Sequence, residues 1–325
     1  MSETIAPSKE ELLSYFDKLS NWGRWGDDDQ LGTLNLITPK QRLAASQLVT
    51  RGVVVPLGMD LDPENPDPVG RGTLMERTMA IHDIGSRLRA VRETITMMPH
   101  GSATHLDALS HFGWDGKMYN GFPFSSVNDA EGATKLSVHT VHDGIVTRGV
   151  LLDIAGLQGV DWLEPGTGPG VGELEAAEER QGVRVKEGDV LIIHTGSLRR
   201  IREQGPDPDR RACGYHPSCL PWLHERGVAL LTSDALNDIQ PSAYGPKQAP
   251  SEETIGDADP EELNLILPVH TVALVAMGLW LIDNIELNEL LPACQNFNQW
   301  EFLISISPLR WVGATASQVN PLAMF

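Results

Sequence analysis

One stretch of sixteen residues constrains this chain most, MMPHGSATHLDALSHF at positions 97–112. It places three histidines and one aspartate within twelve positions, namely His100, His105, Asp107 and His111. Side chains alternate between the two faces of a strand, so a strand would put His105 and Asp107 on one face. On a helix the same two side chains would lie about 200° apart and would not share one ion. The spacing therefore predicts a strand.

The residue types of this cluster indicate a metal or catalytic site. A single histidine is more often a hydrogen-bonded core residue, but burying four such side chains is costly unless they share a partner. Zinc and similar ions accept imidazole and carboxylate together, so His105 and Asp107 supply two ligands. His100 is a third ligand only if the small residues 101–103 bend the chain toward it. His111 suits a supporting or proton-transferring role beside the ion.

Composition narrows the class of protein and its partners. The 325 residues are 41% hydrophobic and 21% charged, which is typical of a globular protein with a substantial core. The formal net charge of −19 repels phosphates and anionic lipids, so we expect no nucleic-acid partner. A small-molecule substrate is the expected partner.

The same sequence predicts a cytoplasmic location without a membrane partner. The longest apolar stretch, residues 271–282, is shorter than the roughly 20 residues that cross a bilayer. The N-terminal residues show no basic start followed by a long apolar run, so no secretory signal is expected. Three cysteines are too few and too irregular in number for a disulfide framework.

Periodicity predicts an α/β chain preceded by a helical arm. Ser8 followed by Glu11 has the form of a capping box and predicts a helix over 8–20, so residues 1–20 are interpreted as an N-terminal arm. Continuous apolar runs alternating with a helical segment predict a sheet with a right-handed crossover. The predicted strands are 53–57, 77–84, 92–97, 149–154, 189–195, 228–231 and a segment beginning at 302; the predicted helices are 39–50, 171–181, 220–225 and one beginning at His270. Residues 240–260 are predicted to form a mobile lid, and the tail after the last strand is predicted to be coil.

Three residues are candidates to line a pocket. The segment FGWDGKMYNGFPF is rich in aromatic residues and glycine, which favours a loop that borders a small-molecule site. Tyr119 and Asn120 are its candidates, and Trp25 is a candidate from the glycine- and aspartate-rich segment nearer the N-terminus. The alternative for each is packing beneath a loop.

The cluster resembles the metal-dependent cyclase family, which includes bacterial kynurenine formamidases and isatin hydrolases. The family signature reads His-X-Gly-Thr-His-X-Asp-X-Pro-X-His, and Thr104, His105, Leu106, Asp107 and His111 match its core. KEGDVLIIHTG at 186–196 and PVHTVALVAMGLWLIDNIEL at 268–287 are similar to two later family segments, and WGDDDQLGTLNLIT is similar to a longer subgroup. The chain departs from the signature at Gly101 and Leu109, where the family has histidine and proline, and at Asp283, where it has a longer acidic or amide residue.

The resemblance implies a fold, a cofactor and roles for residues. The fold would be a swivelling β/β/α domain, a mixed sheet with flanking helices, covering 21–325 as a single catalytic domain. The protein would be a homo-oligomer, a dimer or tetramer. His105 and Asp107 would bind a divalent metal, zinc or manganese, His111 would transfer a proton, and His270 with Asp283 would lie at the metal.

The function expected from residues and resemblance together is a metal-dependent hydrolase. It would use a metal-activated water on a small cyclic or N-acyl substrate, an amide or a lactone, in the manner of an arylformamidase. Two alternatives stay open at this point. One is a lyase or cyclase in which the metal stabilises an enolate, and the other is a metal-dependent binding protein without turnover.

Overall fold

A computed structural model describes residues 5–72, 75–84, 86–247 and 260–325 of the chain. Its centre is a mixed nine-stranded sheet. The strands of the described residues are β1 (Val54–Pro56), β2 (Met75–Asp83), β3 (Arg89–Met97), β4 (His105–Asp107), β5 (Val127–Asn128), β6 (Gly132–Ala133), β7 (Ile145–Asp153), β8 (Val190–His194), β9 (Leu230–Ser233), β10 (Trp280–Asp283), β11 (Glu301–Ile306), β12 (Ala316–Gln318) and β13 (Leu322–Met324). The order in the sheet is β1-β13-β11-β7-β8-β9-β10-β4-β12. Strands β7 to β10 are parallel to one another, and the flanking pairs are antiparallel.

Helices flank this sheet and confirm the expected α/β class. They are α1 (Lys9–Lys18), α2 (Pro39–Ser46), α3 (Ile154–Gln158), α4 (Val171–Gln181), α5 (Ser197–Gln204), α6 (Leu220–Arg226), α7 (Pro260–Leu263), α8 (Pro268–Thr271), which continues as a π-helical segment over Val272–Met277, and α9 (Leu290–Phe297). Short 3₁₀ turns cover Gly32–Leu36, Tyr119–Gly121, Phe124–Ser126, Val138–Val141 and Pro217–Cys219.

The core lies along the parallel strands. Residues 190–193 of β8 are apolar and buried at every position, as expected for a parallel strand that is covered on both faces. Trp280, the largest fully buried side chain, starts β10 and donates its indole N–H to the Leu31 carbonyl at 2.8 Å. Burial of this ring and its hydrogen bond fix the position of Trp280, and therefore the start of the strand that ends at Asp283.

Most predicted elements are confirmed, with shifts at their ends. The Ser8 hydroxyl accepts the amide of Glu11 at 3.1 Å, as the capping box predicts. Leu12 of α1 is fully buried and belongs to the central core, while the boundary of the arm at residue 20 stays a prediction. Helix α2 stops at Ser46 instead of reaching residue 50.

Three expectations differ from the structure or fall outside it. The predicted coil after β11 is wrong, because the tail contributes β12 and β13 to the sheet. The helix predicted to begin at His270 begins at Pro268, and the apolar run beyond it becomes β10, since Gly278 at φ +63° ends the helix. Of the predicted lid, residues 248–259 lie outside the described residues.

The parallel strands end at one edge of the sheet, where Asp153 of β7 and His194 of β8 form an ion pair. Their Oδ1 and Nδ1 atoms are 2.7 Å apart. Burial opposes the charge on His194, but the hydrogen bond to Asp153 and the nearby carboxylate of Asp234 raise the pKa of His194 above its ordinary 6.5. Burial also opposes the charge on Asp153, yet the His194 partner lowers the pKa of that carboxyl.

These shifts predict a pH-dependent stability. Since the folded pKa of His194 is raised, its contribution is complete below pH 6.5 and is lost as the pH rises through the folded pKa. We expect His194→Gln to lower the free energy of unfolding by about 1–3 kcal/mol near pH 6, the value of a hydrogen bond to a charged group, and by less near pH 9. Urea unfolding at both pH values checks this. An equal loss at both would contradict the assignment of the charged pair.

Candidate metal centre

The register of β4 gathers three of the predicted residues. Strand β4 lies between β10 and β12, and His105 pairs directly with Asp283 of β10. Residues directly opposite in an antiparallel pair share a face, and His105 shares its face with Asp107 two positions on. The sheet therefore presents His105, Asp107 and Asp283 on one side, and all three are buried.

Asp107 is the centre of the cluster. Its Oδ1 is 3.0 Å from Nδ1 of His100 and 3.5 Å from Nε2 of His105. Its Oδ2 is 3.6 Å from Nε2 of His270, which is itself 3.3 Å from Oδ2 of Asp283. Two sets of three side chains each bring their potential ligand atoms within 4.8 Å of one another. The first set is His100, His105 and Asp107, and the second is Asp107, His270 and Asp283. The two sets share the Asp107 carboxylate.

A bend returns His100 to the face that strand alternation would deny it. Gly101 adopts φ +116°, a conformation that L side chains rarely take. Its carbonyl accepts the Asn284 side chain at 2.9 Å, while Gln318 Nε2 donates to the carbonyls of Met98 and Pro99 at 3.0 Å each. The bend over residues 101–103 that His100 requires to act as a ligand is thus present, and His100 lies against Asp107.

Neighbouring groups orient the imidazoles and one carboxylate. His105 Nδ1 donates to the Ala103 carbonyl at 2.7 Å, which leaves Nε2 facing Asp107. His270 Nδ1 donates to Asp238 at 2.6 Å, and Asn237 donates to Asp283 through its side chain at 2.6 Å and its amide at 3.1 Å. Partners of this kind fix the tautomer and ring orientation of a metal ligand.

Sequence analysis missed Asp238 and Asn237. The available signal was the segment TSDALND, because it follows a buried strand at the carboxyl edge of the parallel sheet. Its first aspartate, Asp234, instead accepts the amides of Thr195 and Gly196 at 2.7 and 2.8 Å and holds the turn after β8.

The electrostatics of the centre call for a cation. Burial favours the neutral form of Asp107, but the neighbouring imidazoles of His111, His105, His100 and His270 hold its pKa well below the ordinary value. Burial likewise disfavours charge on His270, yet Asp283, Asp107 and Asp238 raise its pKa well above the ordinary value. With Nδ1 donating to Asp238, the Nε2 of His270 faces two carboxylates and needs a proton or a metal ion. Imidazole nitrogens with carboxylate oxygens suit zinc or manganese, so the residues present fit a divalent metal.

His111 lies beside this centre. Its ring stacks on His100 with 3.9 Å between centroids, and Phe112 packs edge-on against it at 4.6 Å. Burial lowers the pKa of His111 to about 3 against the attraction of Asp107, so its imidazole is neutral near pH 7 in the metal-free protein. Within the described part of the chain its ring nitrogens make no hydrogen bond.

Of the three predicted pocket residues, Tyr119 and Asn120 contact the segment 21–30, and Trp25 belongs to it. Tyr119 is fully buried and donates its hydroxyl to Asp29 at 3.0 Å. The Asn120 side chain accepts the Gly23 amide at 2.7 Å and donates to three carbonyls of the same segment. Trp25 packs under the Arg24 guanidinium at 4.7 Å. These contacts order a loop, and the pocket role of all three stays a prediction.

Comparison with known proteins gives a consistent result. The model of the Cyclase family matches residues 55–237, more than half of the chain. A solved structure described as a novel cyclase is 30% identical, with coverage of 95% of this chain and 99% of that chain and a TM-score of 0.80. Isatin hydrolase A from Ralstonia solanacearum is 18% identical, with coverage of 88% and 97% and a TM-score of 0.54. An isatin hydrolase bound to the product analogue thioisatinate is 16% identical, with coverage of 88% and 98% and a TM-score of 0.50.

No curated protein matches the sequence. Among the helices of the described residues, none has the length and apolar character needed to cross a membrane.

Proposed function

The chain belongs to the Cyclase family, and from this premise and the geometry of the centre we propose that it is a metal-dependent hydrolase of a small amide or lactone, cyclic or N-acyl. The observation that carries the proposal is the position of Asp107, which lies within 3.6 Å of the nitrogens of three imidazoles from two distant segments. A buried carboxylate surrounded in this way is costly unless the group has a cation to share. Isatin hydrolases have the same fold, so a cyclic amide is the first substrate to test.

The proposed ligands are His105, Asp107, His270 and Asp283, with His100 completing the set. When bound, a divalent ion polarises a carbonyl and lowers the pKa of water from 15.7 to about 7. The chain contributes preorganisation: the Ala103 carbonyl fixes the tautomer of His105, as Asp238 fixes that of His270.

His111 is the proposed proton carrier. Its ring is fixed by stacking on His100, and within the described residues its nitrogens are not committed to a hydrogen bond. A positioned imidazole of this kind passes a proton to a leaving group, a role worth roughly 10²- to 10⁴-fold in rate. Phe112 packs on His111 and lies 5.8 Å from the His270 ring, so it excludes water from this side of the centre.

The family also supports a second candidate function, a lyase or cyclase acting through an enolate. Product formed in ¹⁸O-labelled water separates the two reactions, because hydrolysis places one solvent oxygen in the product and an enolate route does not.

Failure of the metal-loaded protein to turn over any member of a panel of lactones, N-formyl amides and cyclic imides would instead favour a binding protein.

Metal removal is the direct test of cofactor dependence. We expect purified protein to contain zinc or manganese, to lose hydrolysis of the panel substrates after chelation, and to regain it on addition of the same ion. Elemental analysis and initial rates before and after chelation measure this. Unchanged rates in protein shown to be free of metal would contradict the proposal.

We propose further that the protein is a homo-oligomer assembled through the hairpin of β2 and β3. One face of this hairpin carries Met79, Ile81, Val91 and Ile95, which are 51–69% exposed in the single chain. An isolated two-stranded hairpin is marginally stable in water, and an apolar face of this kind marks an interaction surface. Two copies that pack these apolar faces together would remove them from water, so a second copy of the chain is the proposed partner.

A pair of variants tests this assembly. We expect Ile81→Glu to shift the protein from dimer or tetramer to monomer, because the new carboxylate would be buried between the two copies without a cation to pair with. Thr94→Glu adds the same charge to the opposite face of the hairpin and should leave the oligomer intact. Light scattering coupled to size-exclusion chromatography measures the mass. A monomeric wild-type protein, or dissociation by both variants, would contradict the proposed surface.

A further inference from the structure

A cleft lined by arginines adjoins the metal centre. Its walls include Arg71, Arg200, Arg210 and Arg211, and Asp207 is the one acidic residue among the described residues that line it. This concentration of positive charge is unusual on a chain whose net charge is −19. The electric field of four guanidinium groups in a confined cleft attracts an anion.

Two of the four arginines share one carboxylate partner. Arg211 pairs with Asp207 at 2.9 Å, and Arg200 lies 3.6 Å from the same carboxylate. The side chains of Arg71 and Arg210 make no hydrogen bond or ion pair within the described part of the chain, and Nε of Arg210 is buried without a partner. Arg210 also adopts φ +56°, a conformation that costs energy for a residue with a side chain.

Arg71 and Arg210 repel each other. Burial is the main cause that lowers the pKa of Arg71, and the charge of Arg210 follows, ahead of the opposing attraction of Asp283 and Asp67. The attraction of Asp283 and Asp67 therefore does not offset the effects of burial and of Arg210 on the pKa of Arg71. A bound anion would satisfy both guanidinium groups together.

The cleft shares a wall with the metal centre. Asn284, which lines the cleft, directly follows Asp283, and its side chain donates to the Gly101 carbonyl beside His100. Ala235 and Leu236 line the same cleft and directly precede Asn237, which holds Asp283. One molecule that reaches from the centre into the cleft would therefore contact both.

We propose that Arg71 and Arg210 bind a carboxylate group of the substrate, at a distance from the carbonyl that reacts. The inference rests on the proposed function and narrows its substrate class to amides or lactones that carry an anionic group. A planar guanidinium matches a carboxylate through two parallel hydrogen bonds. The cavity volume of about 40 Å³ holds about three water-sized groups, which suits a carboxylate.

Binding of benzoate tests the proposal independently of turnover. Calorimetric titration of benzoate into metal-loaded wild-type protein should show saturable binding, with benzamide, the neutral analogue, bound at least about tenfold more weakly. Arg71→Gln and Arg210→Gln should each weaken benzoate binding at least about tenfold. Arg199→Gln removes the same charge from an exposed arginine paired with Asp161 and Glu203 and should leave benzoate affinity unchanged.

His105→Ala separates this proposal from the proposed function. We expect this variant to lose the metal while benzoate still binds, since the carboxylate site lies in the cleft. Benzoate affinity that is unchanged in both arginine variants, or an absence of saturable binding up to about 10 mM, would overturn the proposal. Tighter binding of inorganic phosphate than of benzoate would overturn the carboxylate assignment. Loss of benzoate binding in His105→Ala would place the anion at the metal centre and would also overturn it.

Discussion

Replacing Asp107 with Asn is expected to abolish tight metal binding and to reduce the hydrolysis of a panel substrate by about 10³-fold or more. Asn keeps the size of the side chain but removes the negative charge that both candidate ligand sets share. It also presents an N–H₂ group to one of the imidazoles around Asp107, where an acceptor or a cation is needed. The loss should therefore exceed that of changing a residue that belongs to one set alone.

Elemental analysis, a competition titration with a chromogenic chelator and circular dichroism measure this effect. The fold should persist, because β4 is held on both sides by backbone hydrogen bonds from β10 and β12. Asp143→Asn is the matched control, since Asp143 also lies beside a histidine, His142, but is 91% exposed and remote in sequence from the centre. Full metal occupancy in Asp107→Asn would contradict the assignment of Asp107 as the shared ligand.

Replacing Asp238 with Asn is expected to lower metal affinity by about 10- to 100-fold without removing a ligand. The Asp238 carboxylate accepts the His270 ring at 2.6 Å and the backbone amides of Val269 and His270 at 2.8 Å each. An amide has one acceptor oxygen and cannot satisfy all three donors. The His270 ring then loses its fixed tautomer, and the free energy of unfolding should fall by about 1–3 kcal/mol.

Asp234→Asn distinguishes loss of orientation from loss of stability. Asp234 is buried like Asp238 and also accepts two backbone amides and a side chain, but it contacts Thr195 and Gly196 and no histidine. We expect both variants to be destabilised to a similar extent and only Asp238→Asn to lose metal affinity. Equal metal affinity in the two variants, measured by the same chelator competition, would contradict the positioning role of Asp238.

The candidate centre illustrates how a sheet joins distant parts of a sequence. His105 and Asp107 come from β4, His270 from α8, and Asp283 from the end of β10. The antiparallel pairing of β4 with β10 brings the two halves together, although more than 170 residues separate them. The arginine cleft uses the same strand ends, which places anion binding beside the centre.

Local sequence determined the elements that depend on local forces. The N-cap at Ser8, the apolar runs of β7 and β8 and the helix-forming residues of α4 follow from residue types within a few positions, and the structure contains each of these elements. The same holds for the common face of His105 and Asp107, because strand alternation needs only two residues of spacing. The family signature added the expectation that His270 and Asp283 would join them.

Only the tertiary structure decided which groups meet across the sheet. Asp238 orients His270, and Arg71 and Arg210 line one cleft, although the sequences of these segments give no sign of each other. The tail strands β12 and β13, in a segment predicted to be coil, were likewise settled by pairing, not by propensity. The physical reason is that strand order, register and the bend at Gly101 depend on hydrogen bonds and packing between residues far apart in the chain, whereas residue spacing reports only on neighbours.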